Sequence, residues 1–332
     1  MKRIVMSAFP SVLEGIKDLE LGHIKALLRR TSDLKSGQPP RLPLQKSLAV
    51  ATSFLENSTR TKLSFAMAIK RLGGFHIDFH AESSSLKKGE SLEQTLLTLK
   101  YQGIDICIIR TNESNLLDQF RNYPPIKIIN GGDGINQHPT QALLDLYTLQ
   151  DHFGGLKKLK GKTVAIVGDC IHSRVTHSLT DLLPQFGIKV LLCGPDFFIP
   201  KELPRDVSRV DNLDEAIEQS DAIYLLRVQT ERHDKSITDQ LKNYQEEWGL
   251  TFERFRKQSK VLPVFHPGPA NIGIEVESEI VNSEIWMAHK QVQNSVFVRM
   301  AIIEAMINNE DHNIGSQYKK IPGDISERLR HS

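Results

Sequence analysis

Along the chain, short apolar runs alternate with longer stretches whose apolar positions recur at helical spacing. This alternation predicts an α/β fold of two sequential domains with parallel sheets. In the first half, strands are predicted over residues 48–53, 75–79, 104–110 and 126–130. Helices are expected between them. One covers residues 62–72 with Gly73 and Gly74 as stop signals, and one opens at Ser91 with Gln94 three residues on and ends near Gly103. A third starts at Pro139, the favoured first helical position, and runs to Gly154 and Gly155.

A basic, glycine-punctuated turn at residues 156–162 reads as a solvated linker, and then the alternation restarts. Strands are predicted over residues 163–168, 189–193, 221–226 and 261–265, with helices around 176–186 and 213–220. A strongly periodic segment, 292–306, closes the pattern as core packing that could fold back on the first unit. The expected organisation is a first domain at 1–150, with the helix at 291–307 packing back on it, and a second domain at 151–290. The polar tail 308–332 is expected to be mobile.

Composition changes this picture little. A length of 332 residues suits two domains, and 39% hydrophobic with 25% charged residues describes an ordinary soluble protein. With 42 basic and 40 acidic residues the net charge is +2, so there is no long-range field for nucleic acid. An anionic ligand must be met by locally placed cations. Cys107, Cys170 and Cys193 form no CxxC pair or Cys/His cluster, so no metal site or disulfide framework is expected. The apolar stretch after Lys2 and Arg3 is broken by Ser7, Pro10, Ser11 and Glu14, too early for a signal sequence. Nothing approaches a membrane span, and a cytoplasmic protein is the expectation.

The segment richest in chemistry runs from Ser53 to Lys62. A strand ends, and Ser58, Thr59, Arg60 and Thr61 lead into a helix. A helix start offers unpaired N–H groups and a partial positive charge. Three hydroxyls and a guanidinium added there make a phosphate cradle. A simple Ser/Thr cap beside a surface arginine would explain only one of the hydroxyls. The segment is not a Walker loop, and the stretch Gly168–Ser173 does not carry the GxGxxG of a dinucleotide site.

Ser58-Thr59-Arg60-Thr61 resembles the carbamoyl phosphate signature of the aspartate/ornithine carbamoyltransferases. His138-Pro139-Thr140-Gln141, after a glycine-rich run from Gly131, resembles that family's second signature. The segment from Ser83 to Glu90 is similar to its mobile loop. Arg227-Val228-Gln229, then His266-Pro267-Gly268-Pro269, then a helix carrying Gln291 and Arg299 follow in the family's order. The resemblance covers about residues 10–307. It implies carbamoyl transfer from carbamoyl phosphate to an amine, an early step of pyrimidine biosynthesis, with no cofactor and no metal.

The acceptor half decides the branch. Members acting on ornithine typically carry HPCQ and HCLP, where this chain reads HPTQ and HPGP. It offers Arg174, Arg227 and Gln229 instead. Two arginines suit the two carboxylates of L-aspartate and repel an ammonium. By resemblance, Ser58, Thr59 and Arg60 hold the phosphate, and Thr61, Arg110 and His138 converge on the carbamoyl oxygen. Gln141 orients the carbamoyl nitrogen. Arg174 binds the α-carboxylate and Arg227 with Gln229 the β-carboxylate, while Pro267, Gly268 and Pro269 offer backbone groups to the amine. Ser85 and Lys88 enter a neighbour's site, Lys88 reaching both substrates, in a homotrimer with shared active sites. A larger assembly with regulatory or dihydroorotase-like chains stays open.

Taken singly, these residues have plainer readings. Arg110 could be a solvated strand end, His138 a helix cap, and Arg174 and Arg227 halves of ion pairs. Lys62, Ala66 and Ile272 depart from the family's usual residues: Lys62 keeps a charge, Ala66 removes an acidic partner, and Ile272 removes an arginine from the HPGP segment. Three rivals remain: a carbamoyltransferase for another acceptor, such as an N-acylated ornithine, a non-catalytic assembly subunit and, weakest for want of the glycine fingerprint, a nicotinamide dehydrogenase.

Overall fold

The computed structural model describes residues 8–43, 47–79, 89–228, 244–309 and 314. The predicted tail falls almost wholly outside them, as do Ser85, Lys88 and Gln229. The chain forms two compact units. One contains the described residues up to Gly134 and those from Arg299 on; the other runs from Ile135 to Val298.

The first unit is built on a five-stranded sheet: β1 (Val12–Leu13), β2 (Ala49–Phe54), β3 (Phe75–Phe79), β4 (Ile106–Thr111) and β5 (Lys127–Asp133), in the order β1-β5-β4-β2-β3. Every pairing is parallel. Strands of such a sheet are covered on both faces and so read as near-continuous apolar runs. In β4, Ile106, Cys107, Ile108 and Ile109 are all fully buried. The helices of this unit include α1 (Leu21–Lys35), α2 (Thr59–Arg71) and α3 (Leu92–Tyr101).

The second unit repeats the plan. α4 (Pro139–Phe153) precedes β6 (Thr163–Val167), α5 (Arg174–Leu182), β7 (Lys189–Cys193), β8 (Val207–Val210), α6 (Leu213–Gln219) and β9 (Ala222–Leu225). Short helices α7 (Tyr244–Trp248) and α8 (Phe252–Lys257) precede the edge strand β10 (Val264–Phe265) in the chain, and α9 (Ser278–Val281) follows it. The sheet order is β10-β9-β6-β7-β8, again all parallel. The division between units falls within the last helix, α10 (Ala288–Ile307). Among the described residues no helix is long and apolar enough to cross a membrane.

Several sequence expectations shift. α2 begins at Thr59 rather than at residue 62, because Ser58 takes the extended N-cap conformation (φ −156°) and frees the next three residues to turn. The helix after β6 starts at Arg174 and ends at Leu182; a 3-10 turn, Leu183–Phe186, follows, where Pro184 cannot donate an N–H. The last strand shrinks to two residues behind Pro263. β1 and β8 were not expected. β1 is two residues long, too short for a period, and β8 reads buried-exposed-exposed-buried.

Two buried groups tie the end of α10 into the first unit. Arg30 Nε and Nη2 donate to the Glu304 carboxylate at 2.6 and 2.9 Å, and the pair raises the Arg30 pKa. Lys127 Nζ donates at 2.6 Å to the carbonyls of both Met306 and Asn309, neutralising a helix C-terminus.

Candidate active site

In an open parallel sheet, ligands sit beyond the carboxyl ends of the strands, where the strand order changes direction. In the first unit the chain runs from β2 outward to β3 on one side and returns through β4 and β5 on the other. The switch point therefore lies between β2 and β4. Ser58–Thr61 follows β2, and Arg110 ends β4 directly opposite Phe54, with Leu55 N donating to the Arg110 carbonyl at 2.9 Å. Two segments 50 residues apart in number thus meet at one edge.

The local build supports anion binding there. Ser58 occupies the N-cap, but its side chain makes no capping hydrogen bond. Thr59 and Arg60 are exposed and Thr61 is buried. The Arg110 guanidinium lies 3.4 Å from the Glu56 carboxylate and 3.4 Å from the Gly131 carbonyl. Under the first turn of α2, Ser64 Oγ donates to the carbonyls of Arg60 (2.8 Å) and Thr61 (2.9 Å). The same hydroxyl accepts from the fully buried Arg299, whose guanidinium stacks 4.8 Å from the Phe65 ring. Lys62 pairs with Asp78 at 2.7 Å, on the side of edge strand β3.

In the second unit the switch point lies between β6 and β9. Val167 and Leu225 are register partners there, and Leu226 N donates to the Val167 carbonyl at 2.8 Å. Arg174 opens α5 after β6, with Ser173 capping the helix by accepting from Thr176 N at 3.1 Å. Arg227 follows β9, and His266 with Pro267, Gly268 and Pro269 follows the adjacent β10. The two arginines and the proline turn therefore share one sheet edge. Arg174 is 9% exposed and Arg227 half-buried.

His138 and Gln141 sit at the start of α4 and belong to this second unit, separate from the Ser58–Thr61 group. The His138 backbone N donates to Ser178 Oγ at 2.8 Å, which in turn donates to Gln137 Oε1 at 2.6 Å. Among the sequence-predicted site residues with described coordinates, Ser58, Thr59, Arg60, Thr61 and Arg110 are thus gathered in one unit. His138, Gln141, Arg174, Arg227, Pro267, Gly268 and Pro269 are gathered in the other.

Comparison with known proteins also divides the chain into two domains. The family model for the aspartate/ornithine carbamoyltransferase carbamoyl-P binding domain matches residues 13–151, and that for the Asp/Orn binding domain matches 160–306. The aspartate carbamoyltransferase catalytic subunit of Thermus aquaticus is 41% identical over 263 residues, 79% of this chain and 86% of the relative. That of Ligilactobacillus salivarius is 40% identical over 302 residues, 88% and 94% of the two chains. The chain belongs to the aspartate/ornithine carbamoyltransferase family. Solved structures agree with this assignment. Aspartate transcarbamoylase from Trypanosoma cruzi in complex with N-(phosphonacetyl)-L-aspartic acid superposes with a TM-score of 0.76 at 28% identity, covering 89% of this chain and 95% of that one. The catalytic subunit from M. jannaschii gives 0.74 at 31% identity, over 90% and 98%. The family model's boundary leaves α4 with the first half, whereas the chain's own packing groups it with the second.

Sequence reasoning missed the residues that hold these family groups in place. Glu56, Ser64, Asp145, Ser178, Tyr224 and Glu275 were not singled out. Only Asp145 carried a usable signal: a carboxylate inside the buried run Ala142–Leu149, four residues after Gln141 and so on the same helix face.

Proposed function

We propose that this chain is an aspartate carbamoyltransferase, converting carbamoyl phosphate and L-aspartate to N-carbamoyl-L-aspartate and phosphate, in the cytoplasm and in pyrimidine biosynthesis. The observation that carries the reading is the position of Ser58–Thr61 and Arg110 at the switch point of one parallel sheet, with Arg174 and Arg227 at that of the other.

In this reading Arg60, Ser58, Thr59 and the N–H groups of the first turn of α2 hold the phosphate. Thr61, Arg110 and His138 donate to the carbamoyl oxygen, and Gln141 fixes the carbamoyl nitrogen. Arg174 takes the α-carboxylate of aspartate, and Arg227 with Gln229 takes the β-carboxylate. The neutral amine attacks the carbamoyl carbon, negative charge builds on the oxygen, and the bond to phosphate breaks. The departing phosphate takes the amine proton, so the step uses no protein nucleophile. A preorganised donor to such an oxyanion contributes about 2.7–4 kcal/mol. His138 acts by polarising the oxygen, with Pro267, Gly268 and Pro269 offering backbone groups to the amine.

The active assembly in this proposal is a homotrimer in which Ser85 and Lys88 of a neighbour complete each site. Exposed apolar side chains on two neighbouring elements favour association: Leu63 on α2 is 60% exposed, and Phe75 on β3 is 65% exposed. Acceptor kinetics combined with solution mass test the proposal. Turnover with aspartate by a species of three chains is expected. Turnover with an ornithine derivative and none with aspartate would reverse the acceptor assignment.

A further inference from the structure

Asp145 lies on α4 with no solvent exposure, and it is an acceptor for three side chains. Gln141 Nε2 donates to Oδ1 at 3.0 Å, Gln291 Nε2 donates to the same oxygen at 2.7 Å, and the Tyr224 hydroxyl donates to Oδ2 at 2.8 Å. Burial, and then the neighbouring Asp145 carboxylate, push the Tyr224 pKa well up, so its hydroxyl stays a donor.

The network continues past the hub. Gln291 Oε1 accepts from the His266 backbone N at 3.0 Å. His266 Nδ1 accepts from Gly268 N at 2.8 Å, across the start of the Pro267–Pro269 turn. His266 Nε2 lies 3.4 Å from Glu275 Oε1, which accepts from Asn271 N at 2.5 Å. Asn271 Nδ2 then donates to the carbonyl of Val228, next to Arg227, at 2.9 Å. Hydrogen bonds therefore run from Gln141 through Asp145 and Gln291 to the His266–Pro269 turn, and a second set, from Glu275 through Asn271 to Val228, approaches that turn at His266 Nε2 without a hydrogen bond between the two.

An ionised carboxylate only accepts, so it dictates which end of the Gln141 amide faces it. One N–H of Nε2 is committed to Asp145, which turns Oε1 away from the carboxylate, where it can accept an N–H of a bound ligand. A carbamoyl NH2 is a donor of that kind; an ester or carboxylate oxygen in its place would meet a like-charged lone pair.

We infer that Asp145 is a positioning residue of the transfer reaction: it sets the direction of the Gln141 amide and, through Gln291, the backbone of the His266–Pro269 turn. The inference rests on the proposed role of Gln141 and goes beyond it by naming what aims that amide. Asp145 touches no substrate itself.

Steady-state kinetics on full-length variants test it. Asp145→Ala should lower kcat roughly 100-fold, the scale of a misaimed contact. Asp145→Asn keeps one acceptor oxygen for the Gln141 amide, while the Tyr224 hydroxyl can turn to accept, so it should recover about tenfold of that loss. In a Gln141→Ala background, Asp145→Ala should cost only the roughly tenfold that passes through Gln291 to the His266 turn, because one of the two groups it aims is gone. Thr148→Val is the packing control. It removes a buried hydrogen bond from Asn294 (3.1 Å) within the same unit and should leave kcat and both KM values at wild type.

A full, additive loss for Asp145→Ala in the Gln141→Ala background would overturn the inference, as would a folded Asp145→Ala with wild-type kcat. If Asp145→Ala does not fold, Gln291→Ala breaks the link to His266 while Gln141 and Tyr224 still donate to Asp145. A kcat about tenfold down supports the inference and wild-type kinetics overturns it. All arms are read against a wild-type chain that turns over aspartate. A wild type without turnover would instead sink the proposed reaction.

Discussion

The carboxyl edges of the two sheets are built in different ways. At the first, Thr59 and Arg60 are exposed at a helix start whose cap hydroxyl makes no capping bond. At the second, Arg174, Gln141 and His266 are 9%, 8% and 2% exposed, and Gln141 and His266 are joined by hydrogen bonds that reach across α4, α10 and the sheet. In the proposed reaction the first edge leaves Arg60 solvated and the ligand must order it, which costs side-chain entropy on binding. The second has met that ordering term during folding. Function and stability should therefore separate at the first edge and be entangled at the second.

The largest expected effect breaks the pair apart. Arg60→Ala should lose carbamoyl phosphate affinity and turnover together, by roughly 100-fold or more, with a melting free energy within about 0.5 kcal/mol of wild type. Calorimetric binding and thermal melts check both halves. A folded variant with normal affinity would dissolve the phosphate assignment. Next, Arg227→Ala should raise the aspartate KM about 10- to 100-fold while the carbamoyl phosphate KM moves little. Equal changes in both constants would remove its acceptor role.

Ser64→Ala sharpens the contrast from below the first edge. It deprives the buried Arg299 of one hydrogen-bond acceptor and releases the carbonyls of Arg60 and Thr61, so unfolding free energy should fall by about 1–3 kcal/mol. Denaturant midpoints measure this, and an unchanged midpoint would show that Arg299 does not support α2 through this hydroxyl.

Much of the first edge was legible because it is local. Ser58 to Thr61 are consecutive, and a strand running into a helix start has one electrostatic meaning. The order of the sheets was less legible, since β1 has two residues and β8 four. The second edge was legible only as separate arginines and a proline turn. What joins Gln141 to the rest is Asp145, whose partners Tyr224 and Gln291 lie 79 and 146 residues away. No period or spacing announces a hydrogen bond over that distance. The helix start at Thr59 was misplaced by three residues because Thr59 to Thr61 look polar enough for a loop, and only the extended Ser58 shows where the turn begins.

Two smaller effects probe the surroundings. Burial lowers the His76 pKa from its ordinary 6.5, against the opposing pull of Asp78, and Lys62 lowers it further. The folded chain then binds fewer protons than the unfolded one, so this contribution to stability is complete above pH 6.5 and fades as pH falls toward the folded value. His152 is shifted the same way. Melting temperature should drop between pH 7 and 5.5, and His76→Gln should flatten that slope only in part; an unaltered slope would contradict the shift. The smallest signal is chemical. Burial pushes the Cys107 and Cys193 thiols to about 12 and that of Cys170 upward as well, leaving negligible thiolate at neutral pH. A disulfide reagent should find no fast-reacting thiol in the native chain and three after denaturation; one fast native thiol would argue against that packing.

The most direct test of the central claim is a crystal structure with a phosphonate analogue that joins the phosphoryl group to aspartate. The account predicts the phosphonate on the N–H groups and side chains of residues 58–61, the two carboxylates on Arg174 and Arg227, and the ligand's amide N–H, which is the acceptor nitrogen, beside the backbone of Pro267–Pro269. A ligand bound elsewhere, with Arg60 and both acceptor arginines turned to solvent, would contradict it.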